Sequence, residues 1–326
     1  MANVAVTSAP GSLTRARRWL SGFRKQETWA AYLFVLPWIF GFLALTAGPM
    51  IISLYLSFTN YGLEQIAGLE PTQRVGIEHY RELAHDDKIT LALKNTFIYT
   101  LMMVPGTMIV ALALAMVLLR VSKAMGDFFR TVFYLPQITP PVAVGVLILT
   151  LFNGSFGLVN RGLEFFGIQG PFWTTDPNWI KPALAIMSVW AVGGTMVIYL
   201  AALAGVPGHL YEAAEIDGAS AWRRFKDVTL PMISPALFFT FIVLTIAGLQ
   251  TFTEAYTAFF GPSTGGAENP DAALFYAIYL FREAFVNFHM GYAAAMSWLL
   301  FAIIMVITLF QMFVSRRFVF YQGQQR

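Results

Sequence analysis

Six stretches of this chain carry no charged side chain: Thr28 to Leu63, Asn95 to Leu119, Thr131 to Asn160, Pro182 to Gly208, Val228 to Thr253 and Met290 to Ser315. Each is longer than the roughly 20 apolar residues a helix needs to cross about 30 Å of hydrocarbon. The apolar residues do not alternate with polar ones as barrel strands require, and a lone segment in lipid must satisfy its backbone hydrogen bonds internally. The pattern therefore predicts an all-α polytopic membrane protein with six transmembrane helices. The first stretch is long enough for a span and an extended tail, with Pro49 near its middle as the expected kink. Between the stretches, Glu64 to Lys94 mixes acids with a few bases and reads as a small, partly helical cap. The segment Glu254 to His289 opens on Gly261, Pro262, Gly265 and Gly266 and continues rich in Tyr and Phe. No internal repeat or low-complexity block is present.

Composition supports the membrane assignment, since 57% of the residues are hydrophobic and 12% charged, leaving too little polar surface for a soluble fold. Charge then sets the orientation. The N-terminal tail 1–27, the Arg120 to Arg130 loop, the His209 to Asp227 loop and the C-terminal tail 316–326 hold fourteen Lys and Arg residues, and the alternate side holds seven. Positive residues stay inside, so both termini are expected in the cytoplasm, with outer loops at 64–94, 161–181 and 254–289. The basic residues flank spans and form no stripe, which argues against a nucleic-acid partner. The Arg-rich tail followed by a long apolar run reads as a basic tail and signal anchor, without the short core and cleavage site of a secretory leader.

Several chemistries are absent. There is no cysteine, hence no disulfide, thiolate metal site or cysteine nucleophile. His79 and His85 are six residues apart and do not share a helix face, so with Glu78, Glu82 and Asp86 they read as a solvated acidic loop, and no metal is expected. None of the six lysines follows a glycine, so there is no phosphate loop and no ATP site in the chain. The span interiors lack ionisable groups, which argues against proton or sodium coupling. No His, Asp or Glu cluster suggests a catalytic site.

One basic loop, 207–231, differs from an ordinary connector. Leu210, Ala213, Ala214 and Asp217 fall at helical spacing, Gly218 suits the left-handed end of a helix, and Trp222, Phe225 and Val228 recur at every third position. The pattern predicts helix, turn, helix on the membrane surface, bracketed by Pro207 and Pro231. The run Glu212-Ala213-Ala214, then Asp217-Gly218-Ala219, then Phe225 and Leu230-Pro231, resembles the EAA loop of binding-protein-dependent ABC importer permeases. The likeness is to the carbohydrate-uptake branch, of maltose and glycerol-phosphate type. It extends to Leu36-Pro37, Gly48-Pro49, Phe133-Tyr134-Leu135-Pro136 and Met290-Gly291-Tyr292-Ala293-Ala294-Ala295.

The resemblance implies a permease domain over 28–315 in the cytoplasmic membrane of a bacterium or archaeon. It further implies a second homologous permease, two ATPase subunits that bind ATP and Mg, and an external solute-binding protein that delivers a sugar or oligosaccharide. No cofactor is then expected in this chain. Carried over, Glu212 is the acidic contact to the ATPase, Gly218 the turn, and Ala213, Ala214 and Ala219 the docking face. The spans flanking the loop surround the solute in that family, which directs attention to Trp190, Gly193, Gly194, Thr195, Gly248, Gln250, Thr251 and Glu254. Trp190, Phe252, Tyr256 and Phe259 suit stacking on sugar, although aromatics at span ends also form the interfacial belt, and Gly and Thr also pack helices. A glycerol-phosphate importer fits the same features with a different solute, and a polytopic membrane enzyme is the remaining alternative.

Overall fold

A computed structural model describes residues 29–261 and 270–319. The tail 1–27, the Gly-rich segment after Gly261 and the residues beyond 319 lie outside the described residues. The described chain is helical: α1 (Trp29–Leu56), α2 (Leu63–Ile66), α3 (Glu78–His85), α4 (Asp87–Leu118), α5 (Lys123–Tyr134), α6 (Pro141–Leu151), α7 (Leu158–Phe165), α8 (Ile180–Trp190), α9 (Gly193–Ala204), α10 (Gly208–Ile216), α11 (Ala221–Arg224), α12 (Leu230–Leu249), α13 (Thr253–Phe259), α14 (Tyr276–Phe281) and α15 (Met290–Phe318). Among the described residues one isolated antiparallel bridge, Thr59 with Arg74, is the only extended pairing.

Four of these runs are long and apolar enough to cross a membrane as single helices: Trp29–Leu56, Asp87–Leu118, Ala221–Phe259 and Met290–Arg316. The other two apolar stretches are broken. Lys123–Ile138 meets Pro141–Leu151 at 97°, and Ile180–Trp190 meets Gly193–Ala204 at 50°. The third stretch, Thr131 to Asn160, thus holds a bend and is not one continuous helix. Pro136, Pro140 and Pro141 cluster at its break and remove the N–H groups that would continue the helix. An 11-residue helix such as α6 is about 16 Å long, half the hydrocarbon thickness. The Arg120 to Arg130 segment, expected as a loop, is mostly α5. At Pro49 the expected disturbance takes the form of a π turn, Leu43–Ala47, closed by the Gly48 N–H on the Leu43 carbonyl.

The second span begins at Asp87, well before the charge-free run, because Asp86 caps it by accepting a hydrogen bond from the Lys88 N–H at 2.8 Å. α4 is the central helix of the fold. Ala92, Ala111 and Ala115 are wholly buried on the stripe that also carries Thr96, Tyr99, Met103 and Val104. Small residues let neighbouring backbones approach in lipid, where close packing rather than water exclusion joins helices. Around it one core gathers Tyr276, Phe275, Met296 and Ile148, and a second gathers Tyr199, Met196 and Ile233. α1, by contrast, leaves its apolar side chains largely uncovered, with Phe34 84% and Leu45 80% exposed.

The acidic segment before α4 is a partly helical cap, tied to the entrance of α15. The Asp86 carboxylate accepts hydrogen bonds from the Tyr279 hydroxyl at 2.6 Å and the Tyr292 hydroxyl at 2.7 Å. Burial pushes the Asp86 carboxyl up, but these two hydroxyls and the Lys88 and Ile89 N–H groups outweigh it and hold it below its ordinary value of 3.8. A lowered carboxyl contributes stability that is complete above the ordinary value and is lost as pH falls through the lower folded one. Amide-exchange protection across 78–92 is therefore expected to hold from neutral pH to about 4 and to fall only below that. Asp86→Ala should weaken the protection above about pH 4, by about 1–3 kcal/mol, because two hydroxyls lose their acceptor.

Candidate functional site

Three spans are interrupted, and helices flanking the interruptions pack on one another. The α5–α6 break falls at Thr139 and Pro140, the α8–α9 break at Ala191 and Val192, and the α12–α13 break at Gln250, Thr251 and Phe252. Non-helical backbone at membrane depth is tolerated only where protein buries it or where it lines a water-filled cavity. Gly193 opens α9 directly against α5: a β-carbon there would stand 2.4 Å from the Phe133 carbonyl oxygen and 2.6 Å from the Tyr134 Cα. The neighbouring Gly194 faces the side chain of Gln137 at 3.6 Å. α6 presses Gly145 onto α13, where a β-carbon would meet the Glu254 carbonyl oxygen at 2.8 Å. Tyr99 of α4 joins the set through a 2.7 Å hydrogen bond between its hydroxyl and that of Ser188, with the Thr251 side chain and the Glu254 carboxylate also acting on it.

The sequence-selected positions separate into two groups here. Gly193 and Gly248 are buried packing contacts, Gly248 lying where a β-carbon would come 2.9 Å from the Thr100 hydroxyl. Trp190 and Gln250 are exposed at breaks, and Gly194, Thr195, Thr251 and Glu254 are half-buried beside them. The second group keeps some open surface beside the breaks. Gln137, Tyr99 and Ser188 lie beside these positions and were not selected from the sequence. For Gln137 a signal existed, since it sits between Pro136 and the Pro140-Pro141 pair, but nothing local distinguishes Tyr99 or Ser188.

The 207–231 loop folds as helix, turn, helix. α10 closes with the Ala219 N–H on the Ala214 carbonyl at 2.9 Å and the Gly218 N–H on the Glu215 carbonyl at 3.0 Å, around Gly218 at φ +71°. This Schellman closure needs the left-handed residue that glycine supplies without strain. Ser220 then caps α11 by accepting from the Arg223 N–H at 3.3 Å. Arg224 binds Glu215 at 3.1 Å, and the Tyr211 and Thr229 hydroxyls meet at 3.0 Å, fixing α10 to the root of α12. Glu212, Ala213 and Asp217 are exposed, while Ala214, Ala219 and Phe225 are half-buried. Pro231 lies in the first turn of α12, directly after the π turn Phe225–Thr229. Ile216 and Trp222 stand 87% and 71% exposed, an apolar pair with no cover within the chain. Through the π turn Phe225–Thr229 the loop continues without a break of direction into α12 and on to Phe259.

Residues 107–320 match the family described as binding-protein-dependent transport system inner membrane component. The probable ABC transporter permease protein YesP of Bacillus subtilis (strain 168) is 38% identical, over 92% of this chain and 95% of that protein. The chain belongs to this transport family. The lactose transport system permease protein LacF of Rhizobium radiobacter is 34% identical, over 87% of this chain and 93% of its own length. A chain in the crystal structure of a bacterial alginate ABC transporter, in complex with an alginate pentasaccharide-bound periplasmic protein, has the same fold. It matches with a TM-score of 0.74 at 26% identity, over 90% of this chain and 96% of that one. As a member, the protein is a multi-pass ABC permease subunit, a transport component and not an enzyme. The expected membership of the EAA-loop permeases thus holds.

Proposed function

We propose that this permease forms one half of the translocation pathway for a sugar or oligosaccharide, paired with a second, related permease. Two ATPase subunits hold ATP and Mg on the cytoplasmic side, and an external solute-binding protein delivers the solute. The carbohydrate assignment draws on relatives named for lactose and alginate transport. The uncovered face of α1 supports a neighbouring subunit, as does an apolar groove of about 810 Å³ between α4, α12 and α15.

One observation carries the mechanism: the exposed 207–231 loop and the break at Gln250–Phe252 are the two ends of a single helical element. α12 is 20 residues long, about 30 Å, with Pro235 inside it, and it carries a displacement of its root toward the far side of the bilayer along one helix. In this reading Glu212 and the slim face of Ala213, Ala214 and Ala219 dock on the ATPase, with Asp217 and Gly218 setting the turn and Phe225 and Pro231 joining it to the span. ATPase closure moves α12, and the break lined by Trp190, Gly194, Thr195, Gln250, Thr251 and Glu254 opens or closes to solute. Gly193 and Gly248 hold the broken helices together around it.

The reading requires six crossings with both termini and the 207–231 loop in the cytoplasm. Because the chain has no cysteine of its own, single cysteines report sidedness directly. Ser220→Cys is expected to resist an impermeant maleimide in intact cells and to react after permeabilisation, with Gln73→Cys reacting from outside. Labelling of position 220 from outside would overturn the topology and with it the docking role of the loop.

A further inference from the structure

α7 and the chain on either side of it carry a bare apolar patch. Phe156, Leu158, Phe165, Phe166, Ile168 and Phe172 are all exposed, Phe165 by 87% and Phe166 by 76%. At about 100° per residue the helix divides into three sectors. Val159, Asn160 and Leu163 form the first, which is packed: the two apolar residues lie against the core around Tyr276, and Asn160 is buried. Leu158, Gly162, Phe165 and Phe166 form the second, open and apolar, and Arg161 and Glu164 form the third, open and charged. A helix at the edge of a bilayer needs these three surfaces, one for protein, one for hydrocarbon and one for water.

The level of the helix is fixed by its contacts. Asn160 donates to the Gly154 carbonyl at 2.9 Å and to the Pro171 carbonyl at 3.1 Å, and it accepts from the Trp173 indole N–H at 2.7 Å. The Trp173 ring in turn meets Phe152, which follows α6, at 5.6 Å between centroids, and Trp179, which precedes α8, at 4.9 Å. α7 is therefore pinned beside the point where one span ends and the next begins, both on the same side of the bilayer. That point is the edge of the hydrocarbon. Lys94 and Lys181 stand at the limits of two charge-free runs, and the Lys181 ammonium donates to the side-chain oxygen of Asn95, next to Lys94, at 3.2 Å, so the two limits lie at one level.

We propose that this patch enters the lipid at the headgroup boundary, with Leu158, Phe165 and Phe166 among the upper acyl carbons and Arg161 and Glu164 among the headgroups. The division of the open surface into an apolar and a charged sector matches that boundary, and permanence also favours lipid over a protein partner. A delivery protein that docks and leaves would return six large apolar side chains to water at every cycle, a cost that standing contact with lipid never incurs. Which leaflet is involved follows from the topology proposed above, and contact with lipid does not depend on it. The anchor would steady α6, the half of the broken third span that packs on α13, from the end remote from its break.

The test uses the assembled complex, freed of other cysteines, in liposomes of phosphatidylcholine and phosphatidylglycerol. Nitroxides are attached singly at Leu158→Cys, Phe165→Cys and Phe166→Cys on the apolar sector and at Arg161→Cys and Glu164→Cys on the charged one. These side chains are exposed, so assembly should hold, and Ile168→Cys replaces any stripe position that fails to assemble. Labels at 158, 165 and 166 should collide with oxygen at a depth of about 5–10 Å, with a ratio of oxygen to water-soluble nickel chelate collisions about threefold or more above that at 161 and 164. Equal ratios at the two sets would place the stripe in water and overturn the proposal. Low access to both reagents at 158, 165 and 166 would mean that a neighbouring subunit covers the stripe, and would overturn it as well. Repeating the measurement with the loaded binding protein should leave oxygen access unchanged, whereas its loss at 165 and 166 would make the patch a docking surface for that protein and overturn the lipid contact.

Discussion

In membranes holding equal amounts of assembled complex, Glu212→Lys is expected to lower solute uptake about tenfold or more while ATP hydrolysis persists, because reversing a charge at a docking contact costs more than losing it. The fold should survive, since Glu212 is exposed and makes no contact that holds α10 in place. Gly218 gives a graded companion series. Its φ of +71° lies in the left-handed region, and a β-carbon there would meet nothing within 4 Å, so the penalty is conformational alone. Asn tolerates that region, Ala costs about 1 kcal/mol, and a β-branched residue costs more. Uptake should therefore fall in the order Gly, Asn, Ala, Val. Wild-type uptake in both Glu212→Lys and Gly218→Val would mean that the loop is a passive linker.

The second large effect is expected at Gly193. Gly193→Ala places a methyl group 2.4 Å from the Phe133 carbonyl oxygen and 2.6 Å from the Tyr134 Cα, and both are backbone atoms that cannot rotate away. α9 and α5 must then separate, at a cost of about 1–3 kcal/mol for overpacking a close contact. Gly194→Ala is the control, since its nearest neighbour is the flexible Gln137 side chain at 3.6 Å. Detergent-solubilised Gly193→Ala complex is expected to lose several degrees of thermal midpoint relative to Gly194→Ala. Equal midpoints would show that the two broken spans do not meet as described.

The contrast between these glycines bears on what a sequence can disclose. Gly218 was legible because its role is local: a helix pattern ended there, and its neighbours supplied the bonds that close it. Gly193 and Gly194 are adjacent and chemically identical, and only the approach of α5 separates a tight backbone contact from an ordinary one. The all-helical character was equally legible, since charge-free runs of this length have few other solutions in lipid. The breaks in the third and fourth stretches were not, because absence of charge measures the suitability of a segment for lipid and not its straightness. Pro136, Pro140 and Pro141 carried the missing information for the third. The same charge count hid α5, whose bases were scored as loop residues although Met125, Phe128, Phe129 and Val132 repeat at helical spacing.

ATP-driven uptake of a labelled oligosaccharide into proteoliposomes tests the central claim most directly, with the complex purified together with its binding protein and ATPase. Uptake is expected to require ATP, Mg and the loaded binding protein, to stop when any one is withheld, and to fall with Glu212→Lys while hydrolysis continues. Uptake that proceeds equally without ATP or without the binding protein would contradict the account, because the 207–231 loop would then have nothing to couple.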